Sequence, residues 1–319
     1  MFGTRLIQIL SAALAATALA AHAGAELRIR ITDPNFAPLP IAIADLVGER
    51  DEERTQGQRV VEVIAANLRN SGVFKPLDAR SFIQKPEDLV RTPRMQDWKQ
   101  IGAEAVLGGR VRESGGTMRV EFRLWDVSTG QQIVGRALET GSANWRRLAH
   151  KISDAIFERV TGDTGYFDTR VVYVAETGPR TRRVKRLAIM DQDGANPRYL
   201  SEGENLVLTP RFSPSAQEIT YLSYTGNSPR VYILNIDTGR REVVGDFPGM
   251  TFAPRFSPDG NKIALSLEVE GNSEIYAMDL RTRQVTRLTN NPAIDTSPSY
   301  SPDGRKIAFN SDRGGSQKI

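Results

Sequence analysis

An α/β domain followed by an all-β propeller array is the fold class that this sequence predicts. Three features predict it. Residues 26–165 alternate helix-period and strand-period segments. Residues 166–319 repeat at a step of 44 and carry short strands and Ser-Pro-Asp-Gly turns. Residues 1–25 have the layout of a removable leader, so they are set apart from the fold.

The leader is read first. Arg5 is the only charge before Glu26, and Leu6 to Ala20 is an apolar run that ends in small residues. A basic start, a short apolar stretch and an A-x-A-like site describe a secretory signal peptide. The run is short for a membrane span, which needs roughly 20 residues. Cleavage can follow Ala23 or Ala25. Ala25 suits the sequence better, because Glu26-Leu27-Arg28-Ile29-Arg30-Ile31 already alternates like a strand. The expected location is a bacterial periplasm, with no direct membrane insertion.

Composition restricts the chemistry. Of 319 residues, 39% are apolar and 25% charged, an ordinary balance for a soluble two-domain chain. Cysteine is absent, which excludes disulfides, thiolate metal sites and cysteine nucleophiles. The two histidines are His22, in the leader, and His150. A single remaining histidine inside a helix-like run reads as a packing or surface residue, and no triad or metal cluster is expected around it. The formal charge of +4 is spread along the chain and does not argue for nucleic acid. No catalytic residue, cofactor or metal is expected.

Within 26–165, Pro40 to Ala44 reads as a buried strand, Glu49 to Thr55 as a charged loop, and Gln58 to Asn70 as a helix stopped by Gly72. Val73 to Leu77 reads as a short edge, since Pro76 cannot donate to a ladder. Ser81 to Asp97, interrupted by Pro86 and Pro93, reads mostly as loop before a helical turn at Trp98 to Ile101. Three strands follow as a meander: one from Ala105, one over Arg119 to Val127, and one over Gln132 to Leu138. Gly108-Gly109 and Gly115-Gly116 read as turn glycines, because neither pair has the context of a phosphate loop. Asn144 is placed to cap a last helix with an apolar stripe of Trp145, Leu148, Ile152, Ile156 and Val160, ended by Gly162. The inventory predicts an open sheet with helices on one face.

The repeat is the strongest signal. Pro210-Arg211-Phe212-Ser213-Pro214, Pro254-Arg255-Phe256-Ser257-Pro258 and Pro298-Ser299-Tyr300-Ser301-Pro302 lie 44 residues apart. The blocks from Arg186, Arg230 and Glu274 keep the same step. A period of about 40 to 45 with several short strands marks a propeller blade. In Ser257-Pro258-Asp259-Gly260 and Ser301-Pro302-Asp303-Gly304, proline presets the first corner and glycine takes the left-handed position after it. Ser213-Pro214-Ser215-Ala216-Gln217 lacks the glycine and predicts a different turn. Asp191, Asp193 and Gly194 read as a plain hairpin turn rather than a calcium loop, since no bidentate Glu follows. Arg180, Arg182, Arg183, Lys185 and Arg186 read as a solvated basic hairpin loop. About two and a half units are present, and a propeller needs closure to hide its edges, so the sequence is expected to continue beyond Ile319.

A signal peptide, a mixed domain and Ser-Pro-Asp-Gly repeats in this order resemble the TolB family, the periplasmic component of the Tol-Pal system. The most specific stretches are Leu68-Arg69-Asn70-Ser71-Gly72-Val73-Phe74, Phe157-Glu158-Arg159-Val160-Thr161-Gly162 and the repeats. The resemblance implies a six-bladed propeller ending at roughly residue 430. It also implies a monomeric, non-enzymatic adaptor that binds the lipoprotein Pal over the propeller channel and the inner-membrane protein TolA through its mature N-terminal segment. The system supports outer-membrane integrity and constriction in cell division. Carried over by position, the loops entering the first strands are the Pal candidates: Met250, Thr251, Phe252 and Ala253, then Asp295, Thr296 and Ser297. The TolA candidates are Glu26, Leu27, Arg28, Ile29, Arg30, Ile31, Thr32 and Asp33. The competing reading is the propeller portion of a secreted serine peptidase whose catalytic domain is missing. It requires a Gly-x-Ser-x-Gly elbow and a histidine that this stretch does not supply. A sugar- or quinone-binding propeller would need a polar cluster in the channel, and none is visible in the sequence.

Overall fold

A computed structural model describes residues 27, 37–225, 228–245, 247, 249 and 251–319. The leader, and the strand expected from Glu26, lie outside the described residues apart from Leu27. The chain divides into two compact units, the first ending at Asp168 and the second running Thr169–Ile319.

The first unit is built on one five-stranded sheet in the order β2-β1-β3-β4-β5. Its strands are β1 (Leu39–Ile43), β2 (Phe74–Pro76), β3 (Ala105–Ser114), β4 (Thr117–Asp126) and β5 (Gln132–Gly141). β2 and β3 flank β1 in parallel, while β3, β4 and β5 form the antiparallel meander. Pro76 sits on the edge strand, where a missing N–H costs least. Gly115 and Gly116, both left-handed, make the two-residue turn between β3 and β4.

Four helices pack on this sheet: α1 (Asp51–Asn70), α2 (Pro86–Arg91), α3 (Met95–Gln100) and α4 (Trp145–Thr161). They cover both faces, not one as the sequence suggested. Val60, Ile64 and Leu68 of α1 join Leu148, Ile152 and Ile156 of α4 over Ile41, Ile43, Leu107 and Phe122. On the other face Leu89 of α2 and Trp98 of α3 cover Ala42, Ala44, Val106 and Trp125. The second layer rests on single large side chains in one-and-a-half-turn helices, which leave little periodicity to read. Gly108 and Gly109 are mid-strand in β3 and not turn residues; the second layer accounts for the first and the close backbone of β4 for the second. A Cβ on Gly108 would stand 2.5 Å from the Cβ of Leu89, and one on Gly109 would stand 2.2 Å from the Glu121 carbonyl oxygen.

α1 starts at Asp51, inside the stretch expected to be loop. The charges there are the start signal. Asp51, Glu52 and Glu53 fill the first turn, where unpaired N–H groups favour acids. Glu53 is buried, and its carboxylate accepts the backbone N–H groups of Glu49 (2.9 Å), Arg50 (3.1 Å) and Glu113 (3.0 Å) and the Arg50 guanidinium (2.8 Å). One side chain thus caps α1 and ties it to the end of β3. At the far end of the domain, Gly162 closes α4 in the left-handed conformation and donates to the Glu158 carbonyl. Asn144 occupies the N-cap of α4, but its side chain makes no capping bond. His150 is a packing residue: it is buried, and the Asn67 amide reaches its Nδ1 at 2.9 Å and the Ser153 hydroxyl at 3.0 Å.

The second unit holds β6 (Arg170–Thr177), β7 (Val184–Asp191) and β8 (Arg198–Tyr199) in a three-stranded sheet. Two four-stranded sheets follow. One contains β9 (Leu206–Phe212), β10 (Glu218–Thr225), β11 (Ser228–Asn235) and β12 (Arg241–Gly245); the other contains β13 (Thr251–Phe256), β14 (Lys262–Val269), β15 (Asn272–Asp279) and β16 (Val285–Arg287). β17 (Asp295–Tyr300) and β18 (Ile307–Ser311) pair in a last sheet. Each full sheet is an antiparallel meander, the four-strand blade that the 44-residue step predicts. The apolar faces of successive blades meet, as where Leu222, Val231 and Ile233 pack with Ile263, Leu265 and Leu267.

Five hydrogen bonds lower the Glu53 carboxyl pKa from 4.5 to about 2 against the opposing effect of burial, with the Glu113 N–H as the largest cause and the Arg50 side chain next. A folded value below the unfolded one means that this stabilisation is complete above about pH 5 and is lost as pH falls toward 2. Glu53→Gln is expected to destabilise the first domain by about 2 kcal/mol at pH 7. The gap from the parent should narrow on acidification when both are followed by denaturant unfolding. A gap that stays constant between pH 7 and 3 contradicts this assignment.

Candidate functional site

The repeated strands are held by repeated local chemistry. The Ser257 hydroxyl donates to Asp259 (2.5 Å) and accepts the Lys262 N–H (2.9 Å), and the Asp259 carboxylate takes the Asn261 N–H (3.1 Å). Ser301, Asp303, Arg305 and Lys306 repeat these bonds at the same lengths. Ser213, whose turn has no aspartate or glycine, instead accepts the N–H groups of Ser215 and Ala216. This is the different turn its sequence predicts.

The strands β9, β13 and β17 each carry a bulge at one repeat position. In β9, Thr209 and Pro210 together oppose Tyr221; in β13, Ala253 and Pro254 oppose Leu265; in β17, Ser297 and Pro298 oppose Phe309. Thr209, Ala253 and Ser297 are left-handed, with φ of 49°, 48° and 56°. The prolines that follow are buried. A left-handed L-residue costs about 1–2 kcal/mol, and the position before proline is restricted further. Two residues against one also flip the face that later side chains address. β9 packs on β13 and β13 on β17, so the bulged segments lie side by side in the second unit. The Ser297 N–H donates to the Ser266 hydroxyl of the preceding blade at 3.0 Å, which fixes this contact.

The described residues among the expected Pal contacts sit in strands, not in the loops before them. Met250 lies outside the described residues. Thr251 begins β13 and is 1% exposed; Asp295 begins β17 and is fully buried, its carboxylate held 2.7 Å from the Arg313 guanidinium. Both are packing residues in this chain. Phe252, Ala253 and Thr296 are half-buried and Ser297 is exposed. Of the TolA-contact segment, Glu26 and 28–33 lie outside the described residues, and Leu27 is half-buried against the core of the first domain.

Two further residues of the same strands carry charge. Arg211 and Arg255 follow the bulge prolines in β9 and β13, one repeat apart, and Ser299 holds the third position. Each guanidinium donates to the carbonyl of its own proline, Arg211 at 3.0 Å and Arg255 at 3.4 Å. Among the described residues neither has an ion-pair partner. Burial, and then the Arg211 charge, lower the Arg255 pKa from the usual arginine range. The recurrence of arginine inside an otherwise structural motif is the signal that could have found them. The basic run at 180–186 spans the β6–β7 hairpin, where Lys185 pairs with Glu176 at 2.9 Å. No helix among the described residues is long and apolar enough to cross a membrane.

A mixed α/β domain followed by bulged four-strand blades defines a propeller-bearing two-domain protein. Residues 27–133 match the TolB amino-terminal domain model and residues 157–319 the TolB beta propeller domain model. The chain belongs to the TolB family. It is 57% identical over 229 residues to the Tol-Pal system protein TolB of Paramagnetospirillum magneticum, a match covering 71% of this chain and 51% of that protein. The chain thus spans about half the length of that curated relative. The crystal structure of TolB from Acinetobacter baumannii superposes with a TM-score of 0.78 at 32% identity, covering 88% of this chain and 68% of that one.

Ser297→Gly is expected to raise stability by about 0.5–1 kcal/mol, the left-handed penalty less the entropy cost of glycine. Ser299→Gly, two residues on and outside the bulge, is expected to lower it by about 0.5–1 kcal/mol. Guanidinium unfolding of the two variants checks this, and equal shifts of one sign would contradict a strained bulge.

Proposed function

We propose that this protein is a non-enzymatic periplasmic adaptor of the Tol-Pal system that binds Pal across the first-strand rim and TolA through Glu26–Asp33. The observation that carries the reading is the side-by-side packing of β9, β13 and β17 at one repeat position, which offers a partner several blades at once. Phe252, Ala253, Thr296 and Ser297 form the accessible part of that rim. Thr251 and Asp295 hold it from beneath. The matches to both domains of one family favour an adaptor over the peptidase alternative.

The N-terminal segment fits the second contact. Leu27 lies against the first core, as expected of a segment that docks on its own domain and is released to a partner. Occupancy of the rim would bias that equilibrium only through a difference in affinity between the two states. Such coupling would link Pal and TolA binding, in support of outer-membrane integrity and constriction during division.

The test is calorimetric titration of the full-length exported protein with purified Pal and, separately, with purified TolA. Ser297→Trp, placed on the exposed rim, is expected to weaken Pal at least tenfold and leave TolA unchanged. Deleting 26–33 should abolish TolA binding and leave the fold intact by circular dichroism. Full TolA affinity after the deletion, or unchanged Pal affinity in the rim variant, would overturn the corresponding half of the proposal.

A further inference from the structure

Arg211 and Arg255 are a matched pair among the cations of the second unit, each directly after a bulge proline at the same repeat position. Some of the others are balanced locally: Lys185 by Glu176, Arg283 by Glu242, Arg287 by Glu274 and Arg313 by Asp295. Arg211 and Arg255 have no carboxylate partner among the described residues. They stand at one repeat position on first strands that pack together, close enough for the charge of one to act on the other. Two like charges next to each other raise the energy of the folded chain. Each guanidinium carries five N–H donors, and among the described residues each makes a single bond, to its own proline carbonyl.

The backbone aims them. The extra residue of each bulge flips the alternation of the strand, so the residue after the buried proline addresses a different face than an unbroken strand would give it. The strain at Thr209 and Ala253 is therefore spent immediately before the two arginines. The third blade has the same bulge but places Ser299 at that position, so the positive charge is confined to β9 and β13.

We infer that Arg211 and Arg255 form a two-guanidinium seat for one carboxylate side chain of the protein that docks on the first-strand rim. The planar forks match a carboxylate in shape, and one negative charge bound between them removes their mutual repulsion. The seat is local to two blades, so it orients the partner as well as attracting it. This inference rests on the docking reading above.

Two measurements on the full-length protein separate the two claims. In Pal titrations, Arg255→Gln is expected to weaken binding about tenfold. Arg211→Gln/Arg255→Gln should lose no more than about threefold beyond the weaker single variant, because both arginines hold one carboxylate. The dependence of log Kd on log salt should flatten in the double variant. Thermal unfolding is the second measurement. In low salt the double variant is expected to melt at or above the parent temperature. Sodium sulfate, compared with sodium chloride at equal ionic strength, should raise the parent Tm more than that of the variant. Pal binding by the double variant within twofold of the parent overturns the seat and leaves the docking reading standing. A parent that does not bind Pal but shows the sulfate difference overturns the docking reading and retains an anion seat. Absence of both effects overturns both.

Discussion

A left-handed residue followed by a buried proline, once in every 44 residues, is the constraint on which the second domain depends. The prolines at 210, 254 and 298 have no N–H to offer the ladder, so an unbroken strand would lose a bond at each of them. The bulge absorbs that defect by setting two residues against one. Tyr221, Leu265 and Phe309 then face the gap on the neighbouring strand. Because the device recurs at one register, β9, β13 and β17 share the same bend and can pack side by side. Packing of the apolar faces over Leu222, Val231, Ile263 and Leu265 supplies the stability that offsets the strain.

The first domain depends on a comparable single point. Glu53 ends one helix, joins it to a strand and holds Arg50, so the α1–β3 junction is fixed by one carboxylate. The sheet it anchors is covered on both faces, and the Gly108 contact with Leu89 shows how close the second layer comes. The packing of Leu27 on this core connects the domain to the segment proposed to reach TolA.

What could be read from the sequence was what is encoded locally. The four-strand blades, the Ser-Pro-Asp-Gly hairpins and the α4 stripe each depend on residues within one period, and all are found in the structure. The start of α1 is not legible locally, because acids at a helix N-terminus look like a loop until the Glu113 N–H is brought to Glu53 from 60 positions away. The second helical layer was missed because Leu89 and Trp98 act singly. The bulges were hidden because Thr209, Ala253 and Ser297 are not glycines, and nothing in their chemistry announces a left-handed backbone. For the same reason Thr251 and Asp295 were expected in exposed loops. They begin strands instead, and burial turns them into supports for the rim.

The central claim is that the bulged first strands together form the docking face. Hydrogen–deuterium exchange of the full-length protein, with and without saturating Pal, tests it most directly. The account predicts slower exchange in Leu206–Phe212, Thr251–Phe256 and Asp295–Tyr300, with little change in β12 and β16. Protection confined to β12, β16 or the first domain, with the first strands unaffected, would contradict it.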